Sequence, residues 1–428
     1  MNQPFFSIVI PTFNRSELFP LAVRSILNQT FEDFEIILSD NYSADPTAEV
    51  AKQFTDPRVH YVRTPQHYTI ADAWEFARRH AKGELIMMLS DDDALVGTAL
   101  EHFWRESERH DADFLFSRVA EYRDQSFPGP DRNSVDCPGF SGVSRRVTVD
   151  EFVGPLYAFR PKFNMHPSAF AFPRAVADLV ARRTGRFFWT NGVEYSAWPI
   201  AALFAKGIVY IDLPLTICGR TGKSWGSNMT LSNPGKEQIQ KLVTDVDQER
   251  KHAPLNNFTL SNLMAEGMLT AKSLFPKEFQ SYEFNELNYI RRAMRELRKR
   301  QAMGVDVSAE IEDALAYSQK YPSLAAEFGR DSATGNDGKK SSLAARLRTT
   351  VGGLGGRTLR RRISAYQLAQ KLQRGRVGTK FVASGEDFGF SDIVGCAEFL
   401  SRNVLIQKPV TDLESAQRTL TESAGRPD

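Results

Sequence analysis

Cysteine is scarce in this chain: Cys137, Cys218 and Cys396 are the only three among 428 residues. Three thiols this far apart exclude a disulfide framework and argue against a cysteine-built zinc site, and they fit a reducing compartment. Long apolar runs are also missing. No stretch approaches the roughly 20 apolar residues a membrane span needs. The N-terminus reaches Ser7-Ile-Val-Ile-Pro11 without a basic leader or a long apolar core. These features lead us to expect a soluble or peripheral cytoplasmic protein.

A third absence is local. From Gly338 to Gly385 the chain has no Asp or Glu but twelve Lys or Arg, so the formal net charge of +2 conceals about −10 on the remainder. With 42% hydrophobic and 11% aromatic residues the bulk of the chain can bury a core, and its length calls for more than one unit.

The first hundred residues alternate between two periodicities. Phe6–Ile10, Phe34–Leu38, Val59–Val62 and Glu84–Leu89 are short β-rich runs. Leu18–Gln29 and Ile70–Ala81 between them carry apolar residues every three to four positions. Such alternation predicts a mostly parallel sheet with helices on both faces. Ligands of these sheets sit beyond the carboxyl ends of the strands. The polar clusters fall at that edge: Thr12-Phe-Asn-Arg15, Asp40-Asn-Tyr-Ser-Ala-Asp45 and Asp91-Asp-Asp93.

Three adjacent carboxylates repel one another unless something compensates them. Two readings are open. A hard divalent ion with a ligand phosphate would do so. Alternatively, the acids form an exposed cap on a helix predicted over Ala94–Arg105.

Taken together, Ser7-Ile-Val-Ile-Pro-Thr-Phe-Asn-Arg15, Ile37-Leu-Ser-Asp-Asn-Tyr-Ser-Ala-Asp45, Ala81-Lys-Gly-Glu84 and Leu89-Ser-Asp-Asp-Asp-Ala-Leu95 resemble the family 2 glycosyltransferases. The resemblance is strong from Phe6 to about Arg105, weaker to about Asn228, and absent beyond. It implies a GT-A fold: a Rossmann-like, mostly parallel sheet flanked by helices, here followed by a helical C-terminal region.

The resemblance also implies roles. Pro11, Thr12, Asn14 and Arg15 match the loop that lies against the donor nucleotide, and Asp40 matches the acid that accepts the imino N–H of the base. The acidic cluster matches an Asp-x-Asp element that holds Mn²⁺ or Mg²⁺ against the diphosphate. Ser90 stands where the commoner form has Asp, which makes Asp92 the leading metal ligand, assisted by Asp91 or Asp93. Such an ion stabilises the departing diphosphate. An inverting enzyme also needs a base for the acceptor hydroxyl. Glu194, at the head of an apolar run reaching Ala205, matches that acid; otherwise it is a carboxylate in a helix's first turn.

Phe163–Phe170 resembles the strand before the base helix, with His166 at the diphosphate, at the acceptor or simply structural. Tyr210–Leu215 reads as the domain's final strand. In Gly219–Asn228 relatives place an Arg and a His near the diphosphate; this chain has no His there, and Arg220 and Lys223 are left to neutralise phosphate. Trp74 and Trp198 read as core, and Trp225 as an acceptor contact.

The implied activity is metal-dependent, inverting transfer of a sugar from a nucleoside diphosphate, UDP favoured, to a glycan, lipid-linked or protein acceptor, as in polysaccharide biosynthesis. A catalytically silent binding or assembly subunit is the alternative. A haloacid-dehalogenase phosphatase places its acids after the first strand, and a nucleotidyltransferase opens with a glycine-rich loop; neither fits.

Four segments are expected: a catalytic domain over 1–232, a helical accessory region over 233–328, a linker over 329–342 and a basic, partly amphipathic tail over 343–428. In the tail Leu359, Ile363, Tyr366, Ala369 and Leu372 recur at helical spacing beside Arg360, Arg361, Arg362 and Lys371. A basic amphipathic helix suits an anionic membrane surface, at the inner membrane face, or a protein contact through 343–380. No nucleic-acid module accompanies it, so nucleic acid is not an expected partner.

Overall fold

The computed structural model describes residues 3–129, 131–224, 252–257, 259–324, 327–328 and 380–405. Among them, eleven strands join in one sheet. Its first half is parallel. Strand β1 (Phe6–Thr12) lies between β2 (Phe34–Asp40) and β4 (Leu85–Met88), and β3 (Val59–Arg63) forms the edge beyond β2. The register pairs Thr12 with Asp40, so β1 and β2 end level and release their loops side by side. Helices α1 (Phe19–Leu27), α2 (Thr47–Ala51) and α3 (Ile70–Arg78) make the crossovers. Thr69 caps α3 by accepting from the Asp72 amide.

Beyond β4 the sheet becomes mixed. Strand β9 (Phe170–Pro173) runs antiparallel between β4 and β6 (Phe114–Arg123). Strand β10 (Ile208–Arg220) follows β6 in parallel, with irregularities around Ile211, Pro214 and Thr216. It also pairs with β5 (Ala94–Leu95) and β8 (Ser144–Val147). Strand β7 (Ser134–Cys137) pairs with the far end of β6. Helices α4 (Ala99–His110), α5 (Val149–Tyr157), α6 (Arg174–Thr184) and α7 (Val193–Phe204) complete this part.

Two expectations near the site are corrected. The helix predicted over Ala94–Arg105 does not start after the acids: Ala94 and Leu95 pair with Ile217 and Thr216, and α4 begins at Ala99 behind Thr98. Both residues are buried, and the strand pairing satisfies backbone groups that an early helix turn would have satisfied otherwise. Asp93 therefore does not cap a helix. Residues 163–169 are not a strand either; a short 3₁₀ turn, Pro167–Ala169, leads into β9. Proline supplies no amide for a ladder at that position.

Two apolar clusters fill the fold. One joins Phe114, Phe116, Phe170 and Trp198 to the helices α8 (Leu260–Leu274), α9 (Glu286–Ala302) and α10 (Ser308–Ser318). Helix α8 lies close on α7: a Cβ on Gly267 would sit 2.6 Å from the Tyr195 Cβ, which only glycine avoids. Trp198 is fully buried, and Trp74 packs edge-on against Phe188 with ring centroids 5.5 Å apart. Trp225, residues 233–251 of the expected helical accessory region, the linker and the basic stretch to residue 379 lie outside the described residues.

The second cluster includes a segment whose placement the sequence did not suggest. Residues 380–405 return to the sheet as β11 (Phe381–Ser384), antiparallel to β7, followed by α11 (Gly385–Phe388) and α12 (Ile393–Asn403). Tyr210–Leu215 lies in β10, the last described strand within 1–232, and β11 joins the sheet from beyond it. Phe390, Ile393, Cys396, Ala397, Phe399 and Leu400 are buried in the same cluster as β1 and β2. Each fully buried large side chain is worth about 1.5–3 kcal/mol. The Gly97 amide donates to Ser401 Oγ at 3.0 Å, and Asn133 Nδ2 donates to the Phe390 carbonyl at 3.1 Å.

Candidate active site

The level ends of β1 and β2, with β4 stopping beside them opposite Val9, bring three loops to one edge, and the end of β10 closes on them. Arg15 ties them together. Its guanidinium donates to Asp91 Oδ1 at 2.6 Å and to the Lys223 carbonyl at 2.7 Å, and lies 3.7 Å from Asp92 Oδ2. Asp91 also accepts from the Thr12 hydroxyl at 2.8 Å. The neighbouring carboxylates raise the Arg15 pKa further, so it stays charged.

The three acids point to different partners. Asp91 is neutralised by Arg15. Asp92 accepts from Ser224 Oγ at 2.5 Å. Asp93, 1% exposed, accepts from Ser168 Oγ at 2.5 Å and from the Gly219 amide at 2.9 Å. Burial pushes the Asp92 and Asp93 carboxyls well above the usual range, and Asp93 adds repulsion on Asp92. Beside Asp93, His166 Nδ1 stands 3.6 Å from Oδ2, buried and without a hydrogen-bond partner. Burial and Arg220 lower the His166 pKa to about 4. Cys218 completes a group with Asp93 and His166 whose ligand atoms all lie within 4.8 Å of one another. All three cysteines are free and buried.

The cluster fits a divalent cation. It presents carboxylate oxygens whose charged form is disfavoured as the site stands, with Arg15 as its direct cationic partner. Added positive charge would relieve that penalty, and oxygen donors suit Mn²⁺ or Mg²⁺.

The loop after β2 forms the other half. Asp40 is fully buried; it accepts from Tyr61 at 2.7 Å and from the Ser43 amide at 2.8 Å, with Arg63 at 3.4 Å. Asn14, at φ 53°, accepts from the Ala44 amide at 2.8 Å while its own amide donates to Ser43 Oγ at 2.9 Å. Pro11 precedes it at the end of β1, in register with Ser39. Two aromatic rings lie open there. Phe13, 40% exposed, packs on His67 with centroids 4.3 Å apart, and Tyr42, 49% exposed at φ 63°, carries the Arg63 guanidinium 4.9 Å from its ring.

Other expected groups stand slightly apart. Arg220 donates to Glu121 at 3.0 Å, and Lys223 pairs with Glu17. Glu194 sits half-buried in the first turn of α7, and burial pushes its carboxyl up to about 7. Among the described residues, no hydrogen bond or ion pair joins it to the acidic cluster.

Reading the sequence missed Ser168, Ser224 and Cys218, which meet the acids only through the packing of β9 and β10. Cys218 had been set aside with the other cysteines; here it belongs to a mixed group. Phe13 and Tyr42 carried a usable signal: large aromatics inside polar loops at strand ends.

This α/β domain gathers its acids at the carboxyl ends of parallel strands, the edge at which such sheets bind ligands. Residues 7–179 match the family model described as Glycosyl transferase family 2. The GalNAc(5)-diNAcBac-PP-undecaprenol beta-1,3-glucosyltransferase of Campylobacter jejuni is 40% identical over 102 residues, 23% of this chain and 33% of the relative. The UDP-Glc:alpha-D-GlcNAc-diphosphoundecaprenol beta-1,3-glucosyltransferase WfgD of Escherichia coli is 28% identical over 101 residues, 24% of this chain and 40% of that one. The match thus spans a third to two fifths of these relatives' own length. A crystal structure of S. aureus TarS 1-349 in complex with UDP-GlcNAc aligns at 16% identity over 70% of this chain and 82% of that one, with a TM-score of 0.41. Among the described residues, no helix is long and apolar enough to cross a membrane.

Proposed function

We propose that the protein is a metal-dependent, inverting glycosyltransferase that takes a sugar from a nucleoside diphosphate, UDP by preference, and passes it to a lipid-linked glycan. The observation that carries this reading is the convergence of chain-distant loops on Asp91, Asp92 and Asp93, through Thr12, Arg15, Ser168, Gly219 and Ser224.

Each residue has a role in this reading. Asp40 accepts the imino N–H of the base, held in place by Tyr61 and Ser43, and Phe13 and Tyr42 offer faces for the ring. Pro11, Thr12 and Asn14 shape the loop beneath the nucleoside. Asp92 and Asp93 hold Mn²⁺ or Mg²⁺, and Asp91 keeps Arg15 at the edge of the cluster. When bound, the ion stabilises the negative charge that grows on the leaving diphosphate. Arg220 and Lys223 turn from Glu121 and Glu17 toward phosphate as the donor enters. Glu194 takes the proton of the acceptor hydroxyl; a pKa near 7 suits a base working at neutral pH.

The relatives named for undecaprenol-diphosphate acceptors and for UDP-glucose support the lipid-linked acceptor and the UDP donor. A cytoplasmic protein working at the inner membrane face follows from that acceptor, with the basic stretch over 343–380 as an anionic-surface or protein contact. The test is release of nucleoside diphosphate from a panel of nucleotide sugars, with a polyprenyl-diphosphate-linked sugar as acceptor. Release from one donor that needs both acceptor and divalent ion is expected. No release from any donor by folded protein contradicts the reading.

A further inference from the structure

We propose that Asp93, His166 and Cys218 form a binding site for a thiophilic divalent ion of the Zn²⁺ class, one that shares the Asp93 carboxylate with the donor-ion position at Asp92. The proposal is independent of the glycosyltransferase activity, since it rests on the donor set alone.

The ligand atoms of the three side chains lie within 4.8 Å of one another. His166 Nδ1 and Asp93 Oδ2, 3.6 Å apart, are already close to the spacing of about 3.4 Å for two ligands on a tetrahedral ion. The thiol needs to move by about 1 Å to join them. His166 Nδ1 is buried without a hydrogen-bond partner, so no bond within the protein has to be broken for this ring nitrogen to ligate an ion as the Nε2–H tautomer. Cys218 Sγ has only a 3.9 Å contact to the Gly219 carbonyl, a weak bond that costs little to give up.

The surroundings are those of a supported site. Ser168 Oγ and the Gly219 amide hold the two oxygens of Asp93, as outer partners orient a ligating carboxylate. Arg220, a nearby cation that would oppose a metal, is paired with Glu121. Three protein ligands leave a fourth position, and His166, with 22% of its side chain exposed, marks the route from solvent.

Donor chemistry distinguishes the ion taken here from the donor ion. A thiol and an imidazole select borderline and soft ions, whereas Mn²⁺ and Mg²⁺ prefer oxygen. On binding, the thiol gives its proton to buffer and the sulfur lone pair bonds the ion, while the imidazole binds as the neutral ring. The thiolate and the Asp93 carboxylate together balance the two charges of the ion. Because Asp93 adjoins Asp92, and Gly219 packs against the Asp92 carbonyl, an ion here pins the end of β10 and weakens binding at the donor position.

The test uses the chelator-treated full chain, titrated with Co²⁺ and then with Zn²⁺. Wild-type protein is expected to show a thiolate-to-cobalt charge-transfer band that Zn²⁺ abolishes. Cys218→Ser loses the band and at least about tenfold in Zn²⁺ affinity, and His166→Gln loses affinity but keeps the band. Should Cys218→Ser not fold, a Cys137→Ser/Cys396→Ser double variant, with Cys218 as its only thiol, retains the band. A wild-type protein without the band overturns the proposal, as does a band of unchanged strength in Cys218→Ser.

Discussion

The amide of Gly219 donates to Oδ1 of Asp93 at 2.9 Å, joining the end of β10 to the acid loop that follows β4. The two segments touch so closely that a Cβ on Gly219 would lie 1.7 Å from the Asp92 carbonyl oxygen. The acids are therefore placed by a strand more than a hundred residues further along the chain.

Gly219→Ala follows directly from that contact. Backbone meets backbone, so neither side can yield by a rotamer change, and the end of β10 must move. We expect a loss of about 1–3 kcal/mol in urea unfolding, together with loss of divalent-ion-dependent nucleotide binding. Unchanged stability would show that β10 does not press on the acid loop.

Asp92→Asn has opposite effects on stability and on binding. Burial and Asp93 hold the folded-state pKa of Asp92 above its unfolded value. Below the ordinary carboxylate range both states are protonated and nothing is lost. As pH rises, the unfolded chain ionises first, so the folded state loses stability until its own carboxyl ionises. Without divalent ions, the variant is expected to melt a few degrees above wild type at about pH 8, with little difference at about pH 4. A variant that melts lower at both would contradict this.

Glu194 sets a different pH dependence. A base must be deprotonated, and burial holds its pKa at about 7, so the rate of sugar transfer is expected to rise through that pH and then level. Glu194→Gln should lower kcat by about 10²–10⁴-fold with little change in nucleotide affinity. A rate that falls across the same range would exclude Glu194 as the base.

Leu400→Ala tests whether the C-terminal segment is part of the catalytic unit. Leu400 is fully buried against the cluster that holds β1 and β2. Truncation should cost about 2–5 kcal/mol, seen as one cooperative shift in catalytic-domain unfolding. A separate early transition that leaves the catalytic domain unmoved would show the segment to be an appendage.

Much of this was legible in the sequence where the causes are local. The runs Phe6–Ile10 and Phe34–Leu38 announce strands through β-branched residues, and the polar residues that follow them mark where they stop, so the edge at which the polar loops meet could be named in advance. Ala94–Leu95 was misread because its partner, Thr216–Ile217, is remote in sequence, and strand pairing overrides local helical periodicity. The return of residues 380–405 was hidden for the same reason: a four-residue strand and one amphipathic helix acquire meaning only against β7 and α1. Cys218 and His166 are ordinary residues in their own segments and form a set only where β10 crosses the turn before β9.

The most direct test of the account is calorimetric binding of UDP, dTDP, GDP and CDP to the full chain, with and without Mn²⁺, alongside Asp92→Ala. We predict binding of one nucleotide, UDP first, that requires Mn²⁺ and is lost in Asp92→Ala. Binding indifferent to Mn²⁺ and unchanged in the variant, or none by any nucleotide to folded protein, would contradict a donor site at the acidic cluster.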